Sequence, residues 1–348
     1  MLLCTFEALA AERRNFYSGA RGLAMGGAQL ATVNDETALL INPSALGKLR
    51  DFYGTILDPE VEATNSIGQM NRGSAITSPF AIDEVKKTLD ISRAAYYHAK
   101  AQVFPSLVMK NFGIGLYGNY LLDGEMNAAG TNMNMYYRSD LALIAGYNLS
   151  LFDGRVKVGV NAKMINRIEL VNTTINPAGP LDLQSLGATE GTGLSTDAAI
   201  MLSAPWEWIP TITAVARDIG GNSFDTTHGM RMTTTNRPTA LKQDVDVAVA
   251  IFPIHANRVR STWTIEYRSL LTASEEDDKA KLIHAGAELN FSDMFFLRAG
   301  YNQRYYTGGL EYATERFQFQ LSTYGEEIGT AAAPREDRRT AVKFAFRF

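Results

Sequence analysis

The chain has 348 residues, 46% of them hydrophobic and 20% charged, with a formal net charge of −4. Its 33 Lys and Arg against 37 Asp and Glu leave no basic surplus for nucleic acid, and the lone Cys4 excludes an internal disulfide framework. No stretch holds the roughly 18 consecutive apolar residues of a membrane helix, although a membrane strand, apolar only at every second position, escapes that test.

From the amino terminus, Met1 to Ala10 ends in Ala8-Leu9-Ala10, a small-x-small cleavage pattern. The charged n-region is missing and Glu7 interrupts the apolar part. The expectation is that 1–10 is the tail of a signal peptide beginning upstream; the alternative is a disordered terminus. A lipoprotein anchor at Cys4 is rejected, since nothing before it serves as a signal.

Residues 16–50 are rich in Gly, Ala and small polar residues and lack sustained period-two alternation. They hold a glycine run from Gly22 to Gly26 and Gly27, an acidic pair, Asp35-Glu36, and the element Asn42-Pro43-Ser44-Ala45-Leu46. Such a composition suits a segment packed inside a barrel, where backbone meets wall closely. Proline restrains itself and the residue before it, so Asn42-Pro43 fixes a turn. A phosphate loop is excluded because no Gly-Lys-Ser/Thr ending and no preceding strand are present.

Residues 80–100 read as a short helix, with Ile82, Val85, Leu89 and Ser92 at helical spacing after Ser78-Pro79. From Phe104 onward strand patterns dominate. Val156, Val158 and Val160 oppose Lys157, Gly159 and Asn161; Val245 to Ile251, Val259 to Tyr267, Ile283 to Leu289, Phe295 to Tyr301 and Phe317 to Leu321 alternate likewise. With weaker segments near 52, 104, 113, 136, 193, 211 and 308, the reading is about fourteen strands of roughly ten residues, enough for a tilted strand to cross a bilayer.

Tight turns are expected at 148–154, Ser292-Asp293 and Gly308-Gly309, and longer polar loops at 171–191, 219–242 and 271–280. Tyr136, Tyr137, Tyr305, Tyr306, Phe295 and Phe296 are placed near strand ends as interfacial girdles. The chain closes on Val342, Phe344, Phe346 and Phe348 on one face and Ala341, Lys343, Ala345 and Arg347 on the other. This resembles the last strand of bacterial outer-membrane barrels, whose terminal aromatic is read by the insertion machinery. A soluble β-sandwich explains the alternation equally well, but neither the terminal Phe348 nor the polar row Arg258, Arg260, Glu266, Arg268.

The run Ser18 to Leu46 resembles the hatch of the long-chain fatty acid transporter family of outer membranes. Its members open with a Gly-Ala-rich run, an Asn-Asp or Asp-Asp pair and an Asn-Pro-Ala-Gly/Ala-Leu element; Ser44 stands here for the usual alanine. The resemblance implies that Gly22, Gly26, Gly27, Asp35, Glu36, Asn42, Pro43 and Ser44 belong to a plug that a bound ligand shifts. The ligand then leaves through a lateral opening in the wall. It further implies a capture groove in the extracellular loops, to which Phe80, Ile82, Leu89, Ile91, Tyr96 and Tyr97 contribute if they do not simply pack the helix on the rim.

The expected fold class is therefore all-β: a transmembrane antiparallel β-barrel of about 14 strands, with an N-terminal plug and a short helix in an extracellular excursion. The expected division is 1–10 signal remnant, 11–50 plug and 51–348 barrel. Arg258, Arg260, Arg268 and Arg298, with Arg304, are candidates to hold a carboxylate head group. The alternative is that they pair with Glu266, Glu288, Glu311, Asp35 and Glu36. His98, His228, His255 and His284 lack metal-ligand spacing, and no Gly-x-Ser-x-Gly elbow is present; neither enzyme activity nor a cofactor is expected. The functional expectation is passive uptake of hydrophobic compounds such as long-chain fatty acids or aromatic hydrocarbons, gated by the N-terminal plug, by a monomer in the outer membrane of a diderm cell, in contact with its lipids. The rival is a non-transporting barrel that serves as a docking platform for secretion or surface attachment. A general water-filled porin is disfavoured because a plug would obstruct it.

Overall fold

The computed structural model describes residues 15–66, 79–224 and 230–347. Residues 1–10, expected from the sequence to be a signal remnant, with Cys4, and also His228 and the terminal Phe348, lie outside the described residues. Seventeen strand segments form one antiparallel sheet. They are β1 (Tyr53–Leu57), β2 (Glu60–Thr64), β3 (Tyr96–Val103), β4 (Ser106–Met109), β5 (Phe112–Met126) and β6 (Met133–Leu151). There follow β7 (Val156–Ile175), β8 (Thr189–Ser203), β9 (Thr211–Arg217), β10 (Asp244–Ile251), β11 (Ile254–Ala256) and β12 (Val259–Tyr267). The last are β13 (Ile283–Phe291), β14 (Phe295–Asn302), β15 (Tyr305–Ala313), β16 (Phe317–Glu327) and β17 (Glu336–Arg347).

Three of the boundaries are breaks within one crossing rather than reversals, at Asp58-Pro59, Phe104-Pro105 and Phe252-Pro253. Proline cannot donate to the ladder, so the strand is interrupted there. Fourteen crossings remain, and β17 pairs with β1 and β2 to close the barrel.

The alternation is inverted relative to a soluble protein. Leu116, Leu143, Val160, Ile200, Trp263 and Ile265 point outward and are exposed, whereas Asn119, Asp140, Arg167, Asp246, Glu266 and Lys343 point inward and are buried. An apolar outside around a polar inside is stable in hydrocarbon, and it removes the sandwich alternative. No helix among the described residues is long and apolar enough to cross a membrane; the strands do the crossing.

β6 and β7, at 19 and 20 residues, are about twice the length needed to cross. Their upper parts carry an apolar cluster on the outer face, including Met133, Met135, Tyr137, Ile168 and Leu170. Helix α3 (Ile82–Ile91), in the excursion between β2 and β3, covers it with Ile82, Val85 and Leu89. The side chains of Val85 and Leu89 lie over Gly124 of β5, where a Cβ would meet them at 3.5 and 3.3 Å.

Two expectations are corrected. Gly308-Gly309 is not a turn but lies inside β15; the reversal comes earlier, at Gln303 (φ 59°). Tyr136 and Tyr137 form no girdle: Tyr136 faces inward, 3.3 Å from Glu169, and Tyr137 is covered by the outer cluster.

Candidate functional site

Residues 15–52 precede the first strand and fill the lumen. They form helix α1 (Ala20–Ala24), helix α2 (Ala38–Ile41) and a 3-10 turn, Pro43–Lys48. Asn42 organises the last of these. Its Oδ1 accepts from Ser44 N (3.1 Å) and Ser44 Oγ (2.6 Å), while its Nδ2 donates to Leu30 O (2.9 Å) and to Thr213 Oγ1 of β9 (3.0 Å). Pro43 and Ser44 lie with their backbone directly on Gly159 of β7.

The glycine run meets the wall backbone to backbone. Gly26 (φ 68°) would place a Cβ 2.6 Å from both N and O of Tyr301, and Gly27 (φ 85°) would place one 2.7 Å from His284 Nδ1. Thr307 Oγ1 accepts from Gly26 N (2.9 Å) and donates to Ala24 O (2.9 Å), and His284 Nδ1 donates to Gly26 O (2.8 Å). Gly26→Ala is therefore expected to cost about 1–2 kcal/mol from the left-handed backbone alone, with the clash added. The check is a lower thermal midpoint and faster proteolysis of 15–50 in the folded barrel.

Charge locks the plug at several points. Arg21 donates to Glu288 of β13 and to Asp35, each at 3.2 Å. Burial opposes the charge of Asp35, but Arg21, Arg347, the Thr37 hydroxyl and Lys343 outweigh it and hold its carboxyl below the usual carboxylate range. Glu36 accepts from Arg347 of β17 through both oxygens at 2.8 Å. Glu266 of β12 accepts from the N–H groups of Gln29 (3.0 Å) and Leu30 (2.9 Å), and from Arg268 Nε (2.5 Å).

The five arginines proposed for a head group do not converge. Arg258 sits at φ 63° in the turn between β11 and β12, not on the lumen face, and Arg260 pairs with Asp293 at the short-turn rim (2.5 Å). Arg268 spans Glu266 and Gly27 O; Arg298 holds Glu288 (2.7 Å) and Glu311 (2.5 Å); Arg304 pairs with Asp278 near the opposite rim. His98 lies between Asp123 (2.7 Å) and Glu62 (3.0 Å). Among the described residues no group is arranged to hold a metal.

Below the plug, at the short-turn end, opens a cavity of about 1480 Å³ lined by charged residues of both signs, Lys48, Asp51, Lys110, Asp153 and Glu315 among them. Sequence reasoning missed Arg21 and Arg347 as plug anchors. It also missed that the breaks at Asp58-Pro59 and Phe104-Pro105 are neighbours in the wall, since β1 pairs with β4 and β2 with β3. Proline within a strand pattern was the available signal.

A closed barrel, apolar outside and polar inside, with its own amino-terminal segment wedged in the lumen, defines the class: a plugged membrane barrel. No family model and no curated protein matches the sequence. Among solved structures the chain is similar to the P. putida toluene transporter TodX, at 11% identity over 95% of this chain and 98% of that one, with a TM-score of 0.55. A deltaS2S3 mutant of the TodX monoaromatic hydrocarbon channel gives 13%, 95%, 99% and 0.55. The Ralstonia pickettii toluene transporter TbuX gives 12%, 96%, 99% and 0.52. These are hydrophobic-compound barrels of the FadL family, the family that the Asn-Pro plug motif resembles. At such identities the likeness is one of fold.

Proposed function

We propose that the chain is an outer-membrane channel for passive uptake of hydrophobic compounds, gated by its N-terminal plug. The observation that carries this reading is a lumen filled by the chain's own residues 15–50, inside a wall whose ladder is broken at two neighbouring prolines. The fold shared with toluene transporters supports it. Fatty acids and monoaromatic hydrocarbons are the two substrate classes to compare. The chain acts as a monomer, inserted through recognition of Phe344, Phe346 and Phe348.

The test is uptake of labelled long-chain fatty acid and of toluene by cells lacking their own transporters and expressing this chain behind a complete signal peptide. Uptake of either above the empty-vector control is expected. Folded barrel without uptake of any hydrophobic probe would overturn the reading. One observation favours the docking-platform alternative: the ion pairs of Arg21 with Glu288 and of Glu36 with Arg347, and the hydrogen bonds from Gln29 and Leu30 N–H to Glu266, oppose plug movement. That alternative predicts a co-purifying partner and no flux.

A further inference from the structure

Several buried polar atoms without a hydrogen-bond partner fall together on one patch of the inner wall. Among the described residues they include both carboxylate oxygens of Glu60, both amide atoms of Asn119, and the hydroxyls of Thr55 and Ser106. All four side chains are at most 4% exposed. The ladder makes them neighbours in two rows: Glu60 opposes Gln102, which opposes Asn119, and Thr55 opposes Ser106. Gln102 can meet at most one of the two Glu60 oxygens: one Nε2 hydrogen goes to Ser18 O (2.7 Å), Oε1 accepts from Tyr117 (2.9 Å), and only the second N–H is left.

Between the rows lie aromatic surfaces. Phe104 is buried at the wall break, and Tyr117 stacks with Phe16 and Tyr17 at centroid distances of 4.9 and 5.8 Å. The nearby cations are already committed: Lys343 to Asp58 (3.3 Å), Lys100 to Glu62 (3.3 Å), Arg138 and Arg167 to Asp140 (3.5 and 2.7 Å), and Lys163, which lies over the Phe16 ring, to Asp197 (2.8 Å). A buried polar group left unpaired is costly, so so many on one patch mark a place built for a polar atom brought from outside.

We propose that this patch is a binding site for the single uncharged hydroxyl of an otherwise apolar, ring-sized molecule. The hydroxyl donates to Glu60 and accepts from the Asn119 amide, and the ring lies among Phe16, Tyr17, Phe104 and Tyr117. A carboxylate does not fit, since it would stand beside Glu60 with no uncommitted cation in the patch. This inference rests on the uptake reading and names the preferred substrate class within it.

The experiment uses the full refolded chain with three probes of one ring size: toluene, p-cresol and benzoate, followed by equilibrium dialysis and by flux into proteoliposomes. p-Cresol is expected to bind about tenfold more tightly than toluene, the worth of one or two new hydrogen bonds to buried groups, and benzoate the least. Glu60→Leu should bring p-cresol binding down to the level of toluene. Heat-modifiable gel mobility checks that the variant folds. Glu60→Gln, which keeps an acceptor, should retain part of the preference. Equal binding of toluene and p-cresol would mean that the patch holds only water and would overturn the site, as would a preference for benzoate or one that survives Glu60→Leu. Toluene flux without p-cresol preference sinks this inference alone, whereas no flux of any probe sinks the uptake reading with it.

Discussion

Arg298→Met should lower the stability of the folded barrel by about 3–5 kcal/mol, the usual effect of removing one partner from a buried ion pair. The guanidinium holds Glu288 at 2.7 Å and Glu311 at 2.5 Å, and all three groups are at most 6% exposed. Glu288 keeps Arg21 at 3.2 Å, so the charge stranded by the change is that of Glu311. Gln318 (2.5 Å) and Gln320 (2.9 Å) donate to Glu311 but bring no positive charge. Arg298→Lys should recover only part of the loss, since a point charge cannot serve both carboxylates as the planar fork does. Adding Glu311→Leu to Arg298→Met should recover most of it, because replacing the whole pair with apolar groups is far cheaper than breaking it. The midpoint of heat-modifiable mobility in detergent measures all three. A loss under about 1 kcal/mol for the single change would show the lumen to be wet enough to screen the pair. Toluene uptake, where present, should be unaffected, because Arg298 serves the wall and not a head group.

Most of the barrel was legible because one period carries it. β7, β13 and β14 fall where their alternating runs predicted them, beside turns with Gly, Asp or Asn, and β10 does so up to the Phe252-Pro253 break. The signal gives out where both faces of a strand are covered. From Tyr136 to Asp140, β6 is buried on its lumen side by the plug and the wall, and on its outer side by α3 and the loops. Alternation therefore vanishes, and the region read as weak. Parity also fails beyond a strand's end. Arg258 was placed in the lumen by counting in twos from β12, but it lies in a turn with positive φ. Gly308-Gly309 read as a turn because two glycines usually make one; Gly309 instead leaves room for Ala24 of the plug, a neighbour no local pattern announces. For the site, Asp35, Glu36, Asn42 and Pro43 stood out by motif. Their partners did not: Thr213 and Arg347 lie 171 and 311 residues away, where contact is set by register rather than spacing, and Arg21 reaches Asp35 only through the fold of the plug.

The neighbouring proline breaks lead to the second large effect. Between the pairs Thr55–Ser106 and Glu60–Gln102 the ladder of the first and second crossings lapses. The Asp58 carboxylate substitutes for it, accepting from Phe104 N–H across the gap and pairing with Lys343 at 3.3 Å. Asp58→Ala removes both at once. It orphans a buried N–H, worth about 1–3 kcal/mol, and leaves Lys343 with Glu36 no nearer than 4.0 Å. A total loss of about 3–5 kcal/mol is expected, again read from the mobility midpoint. Asp58→Asn separates the two contributions: its amide oxygen still accepts from Phe104, so about half of the loss should return while the Lys343 pair stays broken. Amide exchange at Phe104 gives the local readout, which should quicken in Asp58→Ala and remain slow in Asp58→Asn. If both variants exchange equally fast, Lys343 rather than the carboxylate–amide bond holds this part of the wall shut. In that case Lys343→Met should reproduce the effect with Asp58 in place.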